Sequence, residues 1–150
     1  MRILSHLKRI AERLGIAGVA FLALAVASCA TPETGPTVLN APEIRQTVTG
    51  NALTRCGSQL LGQWRYTGRH MRDGTMEAVV LAGARREDAA GIWRVTDEGL
   101  YCRTWNNGWA QGQEGCFRVI RSGQSLIFDH VSGAAGEATR YTYRLGEACP

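Results

Sequence analysis

From residue 60 onward, apolar and polar side chains alternate with a period of two, in short runs separated by turn-forming residues. Leu60, Gly62, Trp64 and Tyr66 alternate with Leu61, Gln63, Arg65 and Thr67, the pattern of a half-buried strand. Asp73-Gly74 marks a tight turn, and Met76 to Gly83 reads as a second, more apolar strand. Arg85-Arg86-Glu87-Asp88 reads as a solvated, charged loop. The stretch from Gly91 to Arg121 organises what surrounds it. Trp93 and Val95 share a face, Asp97-Glu98-Gly99 has the chemistry of a hairpin loop, and Leu100 to Trp105 is the next strand. A polar loop then leads to a strand from Cys116 to Arg121. After a turn at Ser122-Gly123-Gln124, Leu126, Phe128 and His130 alternate with Ile127, Asp129 and Val131. In the last strand Tyr141, Tyr143 and Leu145 face one way and Arg140, Thr142 and Arg144 the other. Seven strands with turn signals between them predict an all-β antiparallel meander, and Ala52 to Arg55 is a candidate eighth.

Ahead of the strands the period lengthens. Asn40 is placed to cap a short helix, Glu43 completes a capping box, and Leu39 can staple onto Ile44. Ile44 and Val48 lie on one helix face, and Gly50 stops the helix. This single N-terminal helix is expected to pack over an end of the sheet. Residues 29–39 carry Pro32, Gly35, Pro36 and three Thr without a hydrophobic period, so they read as a tether, and residues 40–150 as one β-domain. A meander of this size either exposes two edges or curls until they meet, which predicts a small barrel or a strongly curled sheet. An eight-stranded barrel has room inside for its own side chains, or for one small ligand.

Composition changes this picture mainly at the N-terminus. Residues 1–13 are positively charged, and residues 15–28 form an apolar run of the length of a secretory h-region, shorter than the roughly 20 residues a transmembrane helix needs. The run ends in Val26-Ala27-Ser28-Cys29, which resembles the lipobox of bacterial lipoproteins. That resemblance implies that residues 1–28 are a lipoprotein signal peptide and that Cys29 becomes the lipid-bearing first residue, with palmitate or similar acyl chains. The alternative is an ordinary signal peptide that leaves Cys29 a plain thiol. Several acyl chains anchor far more firmly than one. Ala30 stands where an inner-membrane retention signal would place Asp, so the family rule points to the outer membrane, with the domain facing the periplasm.

The formal net charge is +4, but Arg2, Lys8, Arg9 and Arg13 precede Cys29. From Cys29 onward 13 basic residues, all Arg, face 12 acidic ones. The folded part therefore offers no charge argument for a nucleic-acid partner. A compositional bias explains the preference for Arg as well as any need for bidentate pairing.

Beyond Cys29 stand Cys56, Cys102, Cys116 and Cys149, an even number in an exported chain, which predicts two disulfides among three possible connectivities. Antiparallel pairing of the two central cysteine-bearing strands would set Cys102 against Cys116 and Tyr101 against Phe117, a favourable aromatic pair. That choice leaves Cys56 with Cys149, joining the two ends of the domain. A zinc site is the rival, but no C-x-x-C or neighbouring His pair occurs, and no cofactor motif is present.

Trp105, Trp109 and Arg103 form a candidate binding surface, because two tryptophans in a polar loop held by a disulfide suit stacking or docking. Trp105 can equally end a strand folded onto the core. His70 and His130 stand isolated, with no nucleophile elbow or metal-ligand spacing near them, so no catalytic residue is assigned.

The order Gly91-x-Trp93-x-Val95, Leu100-x-Cys102-x-x-Trp105, Cys116-Phe117-x-Val119 resembles a group of small exported β-proteins common in alphaproteobacteria. The resemblance covers roughly residues 42–131 and implies no activity. Cys56 and Cys149 depart from the group's pattern. Gly62-Gln63-Trp64 is similar to the G-x-W that closes the base of lipocalin barrels, and the anchor plus small barrel resembles the lipid-anchored inhibitors of proteases or lysozyme. The expected function is a non-enzymatic binding or envelope-structural role, with a periplasmic or outer-membrane protein as partner. The alternatives are a carrier of a small hydrophobic ligand and an enzyme inhibitor.

Overall fold

The computed structural model describes residues 35–59, 62–136 and 138–149. The expected signal peptide, Cys29 and the first part of the tether lie outside the described residues, as do Leu60 and Leu61. Among the described residues the strands are β1 (Thr37–Val38), β2 (Ala52–Gln59), β3 (Gly62–His70), β4 (Thr75–Ala82), β5 (Arg85–Val95), β6 (Leu100–Trp105), β7 (Gly115–Ser122), β8 (Ser125–Gly133) and β9 (Arg140–Leu145). One helix, α1 (Ala41–Val48), precedes β2. Strands β2 to β9 pair antiparallel in sequence order, and β9 pairs back onto β2, so the meander is a closed eight-stranded barrel. The extra strand β1 adds to β7 beyond the start of β6, with Thr37 opposite Arg121 and Val38 opposite Ile120.

The sequence explains where this differs from the alternating pattern. The eighth strand suggested at Ala52 to Arg55 runs on to Gln59. The charged run Arg85–Asp88 is not a loop: it opens β5 and pairs with Leu81, Val80 and Val79 of β4. Extended backbone turns residues two apart to the same side, so Arg86 and Asp88 meet on the outer face at 2.6 Å while Glu87 turns inward. The tether also joins the fold earlier than its composition suggests. Thr37 and Val38 are in a ladder, and Leu39 is buried with its N–H bonded to Val119 O at 2.9 Å.

Helix α1 closes one end of the barrel. Asn40 Oδ1 accepts from Glu43 N–H at 3.0 Å and Asn40 N–H donates to Glu43 Oε2 at 2.8 Å, the reciprocal capping box expected from the spacing. Ile44 and Val48 are fully buried, Arg45 Nη2 donates to Val95 O at 2.9 Å, and Gly50 N–H donates to His70 O at 2.8 Å. Asn40→Ala removes the cap from a one-sided helix, so thermal unfolding is expected to show a loss of about 1 kcal/mol.

The interior next to α1 is a dense aromatic layer. Tyr101, Phe117 and Phe128 are buried together with Leu53, Met76, Val119 and Leu126, and Tyr101 meets Phe128 edge to face at 4.9 Å. Two disulfides staple the sheet from outside. Cys102 and Cys116 are direct cross-strand partners, with Tyr101 opposite Phe117 in the neighbouring register. Cys56 bonds Cys149 across the junction of β2 with the chain that follows β9.

Candidate binding site at the barrel mouth

The end opposite α1 is where polar chemistry enters the barrel. Alternation along β6 points Tyr101, Arg103 and Trp105 inward, and alternation along β2 does the same for Leu53 and Arg55. Arg103 Nη1 donates to Tyr143 Oη at 3.1 Å. Its guanidinium carbon lies 5.1 Å from the ring centres of both Phe117 and Tyr141, and 5.6 Å from that of Trp105. The Arg55 guanidinium lies 5.2 Å from the Trp64 ring and 5.4 Å from Tyr141. Two cations thus share one tyrosine ring, each held by ring faces.

Tyr141 is itself fixed. Its hydroxyl donates to Ala135 O at 2.7 Å and accepts from Ala138 N–H at 3.1 Å, which ties the β8–β9 connection to the mouth. Tyr66 packs against Tyr143 at 5.5 Å, Trp109 at 6.3 Å and Trp105 at 6.5 Å. Gly57 lets the neighbouring Trp64 ring lie flat over β2, because a Cβ there would stand 2.6 Å from the indole.

Among the described residues, no carboxylate pairs with the two arginines at this end. Burial, with Tyr143 adding, raises the Tyr66 phenol well above its ordinary range, and burial raises Tyr101 against the opposing pull of Arg103. Both phenols are therefore neutral at pH 7 and cannot cancel an arginine. Outside the barrel, Arg69 pairs with Glu147, Arg86 with Asp88, Arg94 with Glu114 and Arg140 with Asp129. Among the described residues no carboxylate reaches ion-pairing distance of Arg55 or Arg103.

A loop covers the mouth. Trp109 opens a short 3₁₀ turn (Trp109–Gly112) between β6 and β7, is half-buried, and lies 5.0 Å from Trp105. Its Nε1–H donates to Glu87 Oε1 at 2.6 Å, which employs the carboxylate that β5 turns inward. Ala110 and Gln111, with φ of 52° and 59°, hold left-handed backbone that side chains other than glycine adopt at a cost.

The three residues taken from the sequence as a binding surface are brought together, but as the lining of the mouth. Trp105 is buried in the core, Arg103 packs against its ring inside the barrel, and Trp109 folds back onto Trp105. Comparison of the chain with family models, with curated proteins and with solved structures gives no match. The site's chemistry therefore rests on its own geometry.

Sequence reading gives Arg55, Tyr66, Glu87 and Tyr141 no part in a site, and singles out Trp64 only through the lipocalin-like Gly62-Gln63-Trp64. One signal was available for Arg55: it shares the inward face of its strand with Leu53, a cation on an apolar stripe. Gly62 and Trp64 open β3 at the mouth, away from the end that α1 closes. Neither histidine hydrogen-bonds Arg55 or Arg103 among the described residues, although the His130 ring lies 5.5 Å from that of Phe117. His70 is buried near α1, with its Nε2 2.7 Å from Tyr101 Oη, and His130 Nε2 bonds Gly133 O at 3.0 Å. Glu114 lies 3.8 Å from Cys116 Sγ, but that sulfur and the Cys102 sulfur are joined to each other, so neither is a thiolate ligand.

Proposed function

We propose that this chain is a non-enzymatic periplasmic binding domain, held at the outer membrane through a lipid on Cys29, which takes its ligand at the mouth under Trp109. The observation that carries the reading is the pair Arg55 and Arg103, facing inward among aromatic rings without a carboxylate partner among the described residues. Burying a cation without its counter-charge is costly, and an apolar side chain of the same volume would serve the barrel better. The position of these arginines is accounted for by something that arrives. Among the described residues neither histidine hydrogen-bonds a carboxylate, which fits binding in preference to acid–base chemistry.

A small ligand suits the mouth better than the macromolecular partner that the sequence suggests first, because Trp105 and Arg103 lie inside the barrel. The layer next to α1, filled by Trp93, Tyr101 and Phe128, weighs against a deep apolar ligand of lipocalin type. Native mass spectrometry of the chain released from envelopes is expected to show a bound small molecule, absent from a Trp64→Ala, Trp109→Ala double variant. Identical masses for the two, corrected for the substitutions, would overturn the reading. For the anchor, Cys29→Ser is expected to move the chain from the membrane to the soluble periplasmic fraction. An unchanged partition would count against lipidation at Cys29.

A further inference from the structure

Arg103 carries more donors than its surroundings use. Nη1 donates to Tyr143 Oη and the guanidinium also reaches toward the Tyr101 hydroxyl, while no carboxylate among the described residues takes the rest of the fork. The one fully buried side-chain nitrogen or oxygen without a partner among the described residues is His70 Nδ1 at the other end of the barrel, so the donors of Arg103 are not both shut off from solvent and left unpaired. The part of a guanidinium fork left open matches a carboxylate oxygen. Arg55 stacks on the same Tyr141 ring, its guanidinium carbon 5.4 Å from the ring centre against 5.1 Å for Arg103. Trp105 packs against this guanidinium, and Tyr66 and Trp109 pack in turn on Trp105. Glu87 is held by Trp109 and by Arg85, so it does not supply the missing counter-charge.

We infer that Arg103 and Arg55 receive the carboxylate of a small aromatic acid whose planar body lies among Tyr66, Trp105 and Trp109. This rests on the reading of the mouth as a binding end and names its ligand class. The carboxylate takes the open edge of the Arg103 fork, Arg55 adds charge from the rim, and the rings hold the body by stacking. Trp109 sits over the bound molecule on a backbone strained at Ala110 and Gln111, and must swing aside for entry.

The test titrates 2-naphthoate and its uncharged analogue 2-naphthamide into the oxidised full chain, following the indole N–H signals of Trp105 and Trp109 by NMR. The acid is expected to bind about tenfold to a hundredfold tighter than the amide, the worth of a charge-assisted pair. Arg103→Met is expected to abolish that preference while leaving the amide's affinity within about twofold. Arg55→Met, nearer the rim, carries the same test if Arg103→Met does not fold. Equal affinities of the wild type for acid and amide would overturn the anion site and leave the mouth as a binding end. A preference that survives in a folded arginine variant would do the same. Indole signals unmoved by either probe at millimolar concentration would overturn both readings.

Discussion

Replacing Cys56 and Cys149 together by serine is expected to lower the unfolding free energy by about 4–5 kcal/mol, the larger loss of the two disulfides. The bond joins residues 93 apart in sequence, against 14 for Cys102 and Cys116, and cross-linking a longer loop removes more freedom from the unfolded chain. On the same model the shorter loop contributes about 3 kcal/mol. The folded side of the balance points the same way. Strands β2 and β9 close the barrel through two register pairs, Leu53 with Leu145 and Thr54 with Arg144, helped by Gly146 N–H to Ala52 O at 2.9 Å. Strands β6 and β7, which carry the other bond, are paired over four positions, and β7 is paired along its whole length with β8. The barrel is therefore thinnest where Cys56–Cys149 crosses it. Urea unfolding of the two double-serine variants measures the difference. The same variant should show faster amide exchange at Leu53, Thr54 and Leu145 than at Val119 or Phe128. A smaller loss for the Cys56/Cys149 variant than for the Cys102/Cys116 variant would show that the seam holds without its bond.

That seam also shows why the architecture was legible before its closure was. Period-two alternation with turn residues between runs identifies strands and their sidedness, because a pleated strand sends successive side chains to opposite faces. It locates Trp93, Val95, Phe128, Tyr141 and Tyr143 on the buried face, and they are buried. It pairs Cys102 with Cys116 because neighbouring antiparallel strands put those positions opposite each other. Whether β9 returns to β2 is a question of total twist and strand tilt, summed over eight strands, and no single run of residues encodes that sum. The same locality hides β1, a two-residue ladder in a Pro-rich stretch that exists because β7 extends past the start of β6. Arg85–Asp88 misleads for a related reason. A run of four charges is extended here because Arg86 and Asp88 neutralise each other on the outer face, a pairing visible only once the backbone is a strand.

The mouth was legible by residue type and not by place. Trp105, Trp109 and Arg103 drew notice as aromatic and cationic chemistry near a disulfide, yet their inward orientation depends on which face of β6 is the concave one. Once Tyr101 is recognised as core, Arg103 and Trp105 must follow it inward, since all three are two apart. A cation inside an apolar stripe is the signal that sequence reading can use. Arg55 gives the same signal beside Leu53. Their shared contact with Tyr141 joins β2, β6 and β9, three strands that only the closed barrel brings together.

At the other end, His70 is expected to make the domain's stability fall steeply as the medium is acidified. Its ring is enclosed by Trp93 at 5.4 Å and Tyr101 at 5.5 Å, and burial first, with the Arg103 charge second, pushes its pKa down to about 3. Above the ordinary value of 6.5 the imidazole is neutral in both folded and unfolded chains, and stability does not depend on it. Below that value the unfolded chain binds a proton that the folded chain refuses, so each pH unit removes about 1.4 kcal/mol until the buried ring itself protonates. The whole window, from 6.5 down to about 3, is worth several kcal/mol at the level of order of magnitude. Asp88, Glu114 and Asp129, lowered first of all by hydrogen bonds from their arginine partners, also add acid sensitivity, but only once unfolded carboxylates begin to protonate. The interval from pH 6.5 to 5 therefore separates histidine from the carboxylates, and comparison with His70→Phe isolates His70. Across it the wild type should lose about 2 kcal/mol in urea unfolding. His70→Phe, which keeps a ring between Trp93 and Tyr101 but cannot take a proton, should be nearly flat. Parallel slopes for the two proteins would mean that the imidazole reaches water in the folded state, and that the aromatic layer under α1 is less tightly closed than its burial indicates.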